Sequence, residues 1–224
     1  SKMVSDVLIT LEGVLPDKIE VIHHGFHMNQ FYAENISDDR INTIHVKYNP
    51  GLKQPVIGVI SRFVEWKGVQ YIIPAFKRFL SDYPDAVLLL ANAKGPFSDT
   101  LLAQLNELPI GSYQLIPFES DIFALYRIFD IFVHVPVSND CEAFGQIYIE
   151  SMAAGVCMIC TESGVSPEVA VNRNNCMIVP YRNSDSIYAD MKLLLEDTVL
   201  AGNIRSAART SVEGRFTVKE MVAA

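Results

Sequence analysis

From Pro55 onward, short apolar runs alternate with longer stretches of helical periodicity. No other feature constrains the chain as strongly, because strands separated by helices imply a parallel sheet with crossover connections. Six candidate strands follow in order: Val56–Ile60, Ala86–Ala91, Gln114–Pro117, Ile131–Val135, Val156–Cys160 and Met177–Val179. Each is near the usual strand length of about five residues. The intervening patterns predict helices over Val69–Ser81, Asp99–Glu107, Ile122–Phe129, Gly145–Ala154, Pro167–Val171 and Asp185–Glu196. Ser166-Pro167-Glu168 offers an N-cap, a proline at the first helical position and an acid in the first turn, and Gly155 closes the helix before it. The expected fold class is α/β, a doubly wound, Rossmann-like parallel sheet with helices on both faces.

Composition removes several functions. Eighteen Lys and Arg against 26 Asp and Glu leave a net charge of −8, which lacks the basic field that a polyphosphate backbone needs, so no nucleic acid is expected as partner. The most apolar runs, Ala86–Ala91 and Ile128–Val137, fall short of the roughly 20 residues of a spanning helix, and Asp130 and His134 interrupt the second. With no basic and apolar leader visible, a cytoplasmic location is expected. Cys157 and Cys160 form a Cys-x-x-Cys pair, but they fall in a continuous apolar run after Gly155. Residues three apart on a strand face opposite sides, so inert buried thiols are expected rather than a redox or zinc site.

Residues 1–54 break the rhythm. An amphipathic stretch runs to Leu11, a turn follows at Glu12-Gly13, Ile19–Ile22 suggests a short strand, and the sequence through Gln54 is polar and irregular. At the other end an apolar helical pattern starts at Thr217 and stops with the chain, so both ends are expected to be cuts within a longer protein.

In open parallel sheets ligands bind beyond the carboxyl ends of the strands, and two of those loops are unusually polar. After the first strand, Arg62 and Lys67 flank a turn leading into a helix. A planar guanidinium and a mobile ammonium beside a helix N-terminus suit a diphosphate, although two solvated surface cations would look the same in sequence. After the fourth strand comes Glu142-Ala143-Phe144-Gly145-Gln146-Ile147-Tyr148-Ile149-Glu150. With a helix starting near Gly145, Glu150 lies about 7–8 Å along it and Glu142 sits in the loop before it, so the two acids serve different subsites. Carboxylates accept from vicinal hydroxyls, and the free N–H groups between them can hold an anion. Ile147, Tyr148, Ile149, Met152, Ala153 and Ala154 leave that helix little solvated face, and an acid buried in it calls for a partner or a ligand.

These residues resemble the retaining GT-B glycosyltransferases of family 4, the glycosyl transferases group 1, and in particular their C-terminal, nucleotide-sugar-binding domain. The resemblance covers nearly the whole chain. It rests on the paired Glu142 and Glu150 with Ser151-Met152-Ala153-Ala154-Gly155, and on Arg62 through Lys67-Gly68; Lys18 to Gly25, Leu125-Tyr126, Pro167-Glu168-Val169 and Asn175 to Pro180 support it. It implies that residues 1-25 are the closing elements of an acceptor-binding N-terminal domain, 26-54 a linker, 55-213 the donor-binding domain and 214-224 the start of a C-terminal crossover helix. It assigns catalytic roles to Arg62 and Lys67 at the donor diphosphate and to Glu142 at the donor sugar. Glu150 would hold the ribose, Phe144, Gly145, Gln146 and Ile147 would line the donor, and the loop bearing Phe118 would hold the base. The donor would be a nucleotide-diphosphate sugar on UDP or GDP, the acceptor a saccharide or a lipid-linked one. No metal or other cofactor would be required, and any association with a membrane surface would come through the missing N-terminal domain.

Four residues depart from the family pattern: Ser61, Ala143, Val165 and Cys176 stand where glycine is frequent, which narrows backbone freedom and room near a ligand. Two other readings stay open: a non-catalytic nucleotide-sugar-binding module in which these replacements have cost activity, and an epimerase or phosphorylase of the same architecture. His23, His24 and His27 are assigned to a hinge rather than a metal, and Trp66 is expected to pack on the helix after it.

Overall fold

A computed structural model describes residues 1–223. Short helix α1 (Lys2–Thr10) leads through an irregular segment to α2 (Asp38–Tyr48), and the αβ alternation then begins. It runs β1 (Val56–Ile60), α3 (Val69–Asp82), β2 (Val87–Ala91), α4 (Ser98–Leu105), β3 (Tyr113–Ile116), α5 (Ile122–Arg127), β4 (Ile131–His134), α6 (Gln146–Ala154), β5 (Cys157–Cys160), α7 (Ser166–Val169) and β6 (Met177–Ile178). Helices α8 (Ser184–Glu196), α9 (Thr198–Val212) and α10 (Val218–Ala223) complete the described residues. All six strands pair in parallel in the order β3-β2-β1-β4-β5-β6. This is a doubly wound sheet whose topological switch point lies between β1 and β4, where Ile57 pairs with Ile131 and Gly58 with Phe132.

The strands are buried on both faces, which is why they appear in the sequence as continuous apolar runs. Val87, Leu89 and Ala91 of β2 and Met158 and Cys160 of β5 face a core built with α2, α5, α6 and the end of α9. Leu88 and Leu90, with Cys157 and Ile159, face the opposite core built with α3, α4, α8 and the start of α9. Cys157 and Cys160 therefore lie on opposite faces, both fully buried and free, with thiols that burial helps to push up. Cys160 is pushed up first by its contact with Cys176 and then by burial.

Two sequence expectations fail in the N-terminal quarter. Ile19–Ile22 forms no strand; a single 3-10 turn at Pro16–Lys18 precedes it, and no other described strand pairs with it. The polar stretch before Pro55 is not irregular throughout, because α2 occupies Asp38–Tyr48. That helix buries only Ile44 and Tyr48, too little for an apolar pattern, and is held by tertiary ion pairs instead. Arg40 donates two hydrogen bonds to Asp121, at 2.8 and 2.7 Å, and Lys47 Nζ and Tyr48 Oη donate to Glu119 at 2.7 and 2.6 Å. Helix α9 also lay outside the predicted set; its buried Ala201, Ile204, Ala208 and Val212 carry a helical spacing diluted by Gly202 and small polar residues. Ala224, the last residue of the C-terminal helical pattern, lies outside the described residues.

The centre of the sheet has one position with no tolerance for a side chain. A Cβ on Gly58 of β1 would lie 2.3 Å from ring carbons of Phe129, which is itself stacked on Phe132. Gly58→Val is therefore expected to cost about 3 kcal/mol through overpacking. Urea unfolding checks this; a loss under about 1 kcal/mol would mean that the Phe129 ring is free to move.

Candidate active site

A cleft of ≈ 390 Å³ opens at the carboxyl ends of β1 and β4, the position that sheet topology favours for a ligand. The loop after β1 contributes Ser61, Arg62 and Lys67, and Asn92 follows β2. His134 ends β4, and Glu142 through Ile147 with Glu150 complete the wall. Of the residues singled out by sequence, Arg62, Lys67, Glu142, Phe144, Gly145, Gln146, Ile147 and Glu150 are thus brought together. Phe118 is not: it stands away from this lining and is 72% exposed. Its neighbour Glu119 turns inward instead, where burial alone would raise the carboxyl but Lys47 and Tyr48 of α2 and the Asp121 amide hold it at about 2.

Backbone shape places Lys67. Glu65–Lys67 form one 3-10 turn ended by Gly68 at φ +75°, and a Cβ there would lie 1.8 Å from the Val135 carbonyl oxygen. The turn is pressed against the end of β4, and the Val137 amide donates to the Trp66 carbonyl at 3.0 Å. Trp66 itself is 45% exposed, and lines a shallow groove with Gln70 and Tyr71 of α3 rather than packing fully on that helix.

A second support fixes the Glu142 loop. The Glu142 amide donates to Ser163 Oγ at 3.1 Å and the Val165 amide to the Phe144 carbonyl at 2.7 Å. Gly164 between them takes φ +59°, and a Cβ on it would meet the Phe144 carbonyl oxygen at 2.5 Å. Val165 and the other three departures from glycine all avoid positive φ, so none strains the backbone. Ser61 and Ala143 line the cleft; Val165 and Cys176 are buried away from it.

The Phe144 side chain is buried, and its ring meets those of His24 at 5.1 Å, Phe26 at 6.0 Å and Phe216 at 6.1 Å. The His23 ring lies 6.1 Å from the Phe144 ring and its Nε2 is 2.8 Å from Glu168 Oε2 of α7, so the histidines at 23 and 24 tie the entering segment to this loop and to α7.

Electrostatically the two acids differ. Lys67 Nζ donates to Glu142 Oε1, and His134 Nε2 lies 2.9 Å from the same oxygen. Burial acts to raise the Glu142 carboxyl, but His134 and Lys67 outweigh it and hold it at about 2. His134 is 2% exposed, and burial lowers it below its ordinary value despite the facing carboxylate, so at neutral pH it is an uncharged donor. Glu150 has the opposite fate: burial raises its carboxyl, and the Tyr126 hydroxyl, donating at 3.2 Å, only partly compensates. Arg62 is exposed and makes no ion pair among the described residues. The N-terminus of α6, capped by Gly145, completes the anion-attracting side of the cleft.

His134 was missed as a site residue. The available signal was an ionisable side chain closing an otherwise apolar strand.

These elements define a class: an α/β domain with a doubly wound parallel sheet and a polar cleft at its switch point. Residues 40–211 match the family model for glycosyl transferases group 1, and the chain belongs to that family. It is 31% identical to the putative glycosyltransferase YtcC of Bacillus subtilis over 97% of this chain and 55% of that protein. It is 28% identical to the GDP-mannose-dependent alpha-(1-6)-phosphatidylinositol monomannoside mannosyltransferase of Mycolicibacterium smegmatis over 72% of this chain and 42% of that one. A crystal structure of a glycosyltransferase from Rickettsia africae superposes with a TM-score of 0.88 at 27% identity, covering 100% of this chain and 59% of that one. The chain thus spans about half the length of the curated relatives it matches.

The two acids should respond oppositely to substitution. A carboxyl whose folded pKa is depressed stabilises the fold above its unfolded value, about 4.3, and loses that contribution as pH falls through about 2. Glu142→Gln is expected to cost about 3 kcal/mol at pH 7 and to flatten stability against pH below 5. The raised Glu150 carboxyl has the reverse sign, so Glu150→Gln should leave stability at pH 7 equal or higher. Urea unfolding between pH 3 and 7 separates the two, and equal losses from both variants would contradict the assignment.

Proposed function

We propose that this chain carries the nucleotide-sugar site of a retaining glycosyltransferase of family 4, which moves a hexose from a nucleotide diphosphate to a saccharide or lipid-linked acceptor. The observation that carries the reading is the convergence of Arg62, Lys67, the α6 N-terminus, Glu142 and Glu150 on one cleft at the switch point. Its order matches a donor laid along it: Glu142 takes sugar hydroxyls, the helix N-terminus with Arg62 and Lys67 takes the diphosphate, and Glu150 takes the ribose. Gly145, Gln146 and Ile147 line this path, with the Phe144 backbone beside them. The base would lie toward the loop bearing Phe118. The relative from Mycolicibacterium smegmatis uses GDP-mannose; for this chain UDP and GDP both stand as candidate bases.

In this reaction the bond between the anomeric carbon and the diphosphate oxygen breaks, and the acceptor oxygen bonds to the same face of an oxocarbenium-like sugar. The acceptor proton passes to the departing diphosphate. No protein nucleophile is needed, and the protein contributes positioning and charge stabilisation. Arg62 and Lys67 neutralise the leaving group, the task a metal ion performs in other transferases, and the sequence has no Asp-x-Asp pair. Residues 1–25 are read as closing elements of an acceptor-binding domain supplied by the rest of a longer protein, with 55–213 as the donor domain. The relatives' greater length leaves room for such a domain.

Calorimetry of UDP, GDP, UDP-glucose and GDP-mannose tests the reading. Binding selective for one base is expected, unchanged by magnesium or by a chelator, and weakened about thirtyfold by Arg62→Ala, as loss of a charge-assisted contact predicts. Undiminished binding after Arg62→Ala and Glu142→Ala together, or no binding of any of the four ligands, would overturn it.

A further inference from the structure

The Lys67–Glu142 pair poses a conflict once the cleft is read as a donor site, a reading on which this inference rests. Lys67 is tied to Glu142 Oε1 in the free chain, yet the diphosphate calls for the same ammonium. Lysine is a compact charge on a flexible four-carbon stem, so it can turn from one anion to the other, but it cannot hold a carboxylate in a fixed orientation while doing so. His134 has no such freedom. It sits in the sheet ladder opposite Cys160, its carbonyl accepts from the Thr161 amide at 3.3 Å, and its ring stands edge-on to Tyr148 at 5.0 Å. Tyr148 is fixed in turn, since its buried hydroxyl donates to the Thr161 carbonyl at 2.9 Å. His134 is 2% exposed and has Glu142 Oε1 at 2.9 Å.

Both donors converge on the same oxygen, Oε1, and no donor among the described residues occupies Oε2. We infer that His134 is a positioning residue: its Nε2–H pins Glu142 through Oε1 so that Oε2 stays turned into the cleft as an acceptor for a donor-sugar hydroxyl, and it keeps doing so after Lys67 has moved to the diphosphate. The function it adds is selectivity for nucleotide sugar over bare nucleotide. A neutral imidazole suits the task, because it donates one directed hydrogen bond without competing with Lys67 for the diphosphate.

The test compares the affinity of the 224-residue chain for the nucleoside diphosphate with that for the matching nucleotide sugar, the ratio being the sugar increment. His134→Leu is expected to reduce that increment at least tenfold while changing affinity for the bare nucleoside diphosphate less than twofold. His134→Gln, whose amide nitrogen reaches a similar point, is expected to restore it to within threefold. A His134→Leu increment equal to that of the unmodified chain, or an equal loss for both ligands, would overturn the inference while leaving the donor-site reading intact. If the unmodified chain binds no nucleotide, that reading fails and the inference with it. A second measurement needs no variant. Imidazole nitrogen NMR of the unmodified chain at pH 7 is expected to show the proton on Nε2 of His134; a proton on Nδ1 with Nε2 bare would overturn the assignment.

Discussion

The cleft depends on one part-buried ion pair. Lys67 from the crossover after β1 and Glu142 from the crossover after β4 meet over the switch point, and the two loops are held where they must be for that meeting. Gly68 lets the first loop press against the end of β4, and Ser163, Gly164 and Val165 prop the second. A buried pair is weak evidence of stabilisation, since desolvating two charges costs several kcal/mol that attraction repays only with good geometry. Here the geometry includes a second donor, His134, on the oxygen that Lys67 also reaches, and the carboxylate stays ionised.

The contrast between the two glutamates follows from what surrounds each. Glu142 is half-buried next to a cation and a hydrogen-bond donor, and its ionised form is favoured; Glu150 is half-buried next to a phenol alone, and its ionised form is penalised. A residue kept where its charge is unfavourable makes sense when a ligand supplies the missing donors. The vicinal hydroxyls of a ribose would do that, and with the apolar sides of α6 packed through Tyr148, Ile149 and Met152, Glu150 has no side-chain partner but Tyr126 among the described residues.

Strand positions were legible in the sequence to within a residue or two because buried parallel strands leave continuous apolar runs, and the loops at their carboxyl ends followed from topology alone. Arg62, Lys67 and Glu142 of those loops, with Glu150 of the helix that follows, line one cleft as their places in the sequence imply. What escaped has a common cause. Helix α2 is anchored by Arg40, Lys47 and Tyr48 on acids more than 70 positions later in the chain, and no local pattern encodes such contacts. His134 looked like an interruption of an apolar run, and its meaning appears only when Glu142 folds back to 2.9 Å from it. Phe118, assigned by its position in a loop, is exposed outside the cleft lining, and its neighbour Glu119 takes the inward place.

The same non-local logic joins the cleft to the segment that enters the domain. Phe144, two residues after Glu142, has its ring among His24, Phe26 and Phe216, while the Phe26 amide donates to the Phe216 carbonyl at 2.8 Å. Gly25 lies so close to the Thr217 backbone that a Cβ would meet its oxygen at 2.6 Å. The chain entering the domain and the chain leaving α9 are therefore packed against each other and against the loop that carries Glu142. Close-packed aromatic contacts do not deform continuously, so residues 23–26 cannot shift relative to the sheet without repacking Phe144. The position of the entering segment and the orientation of Glu142 are consequently parts of one packing arrangement.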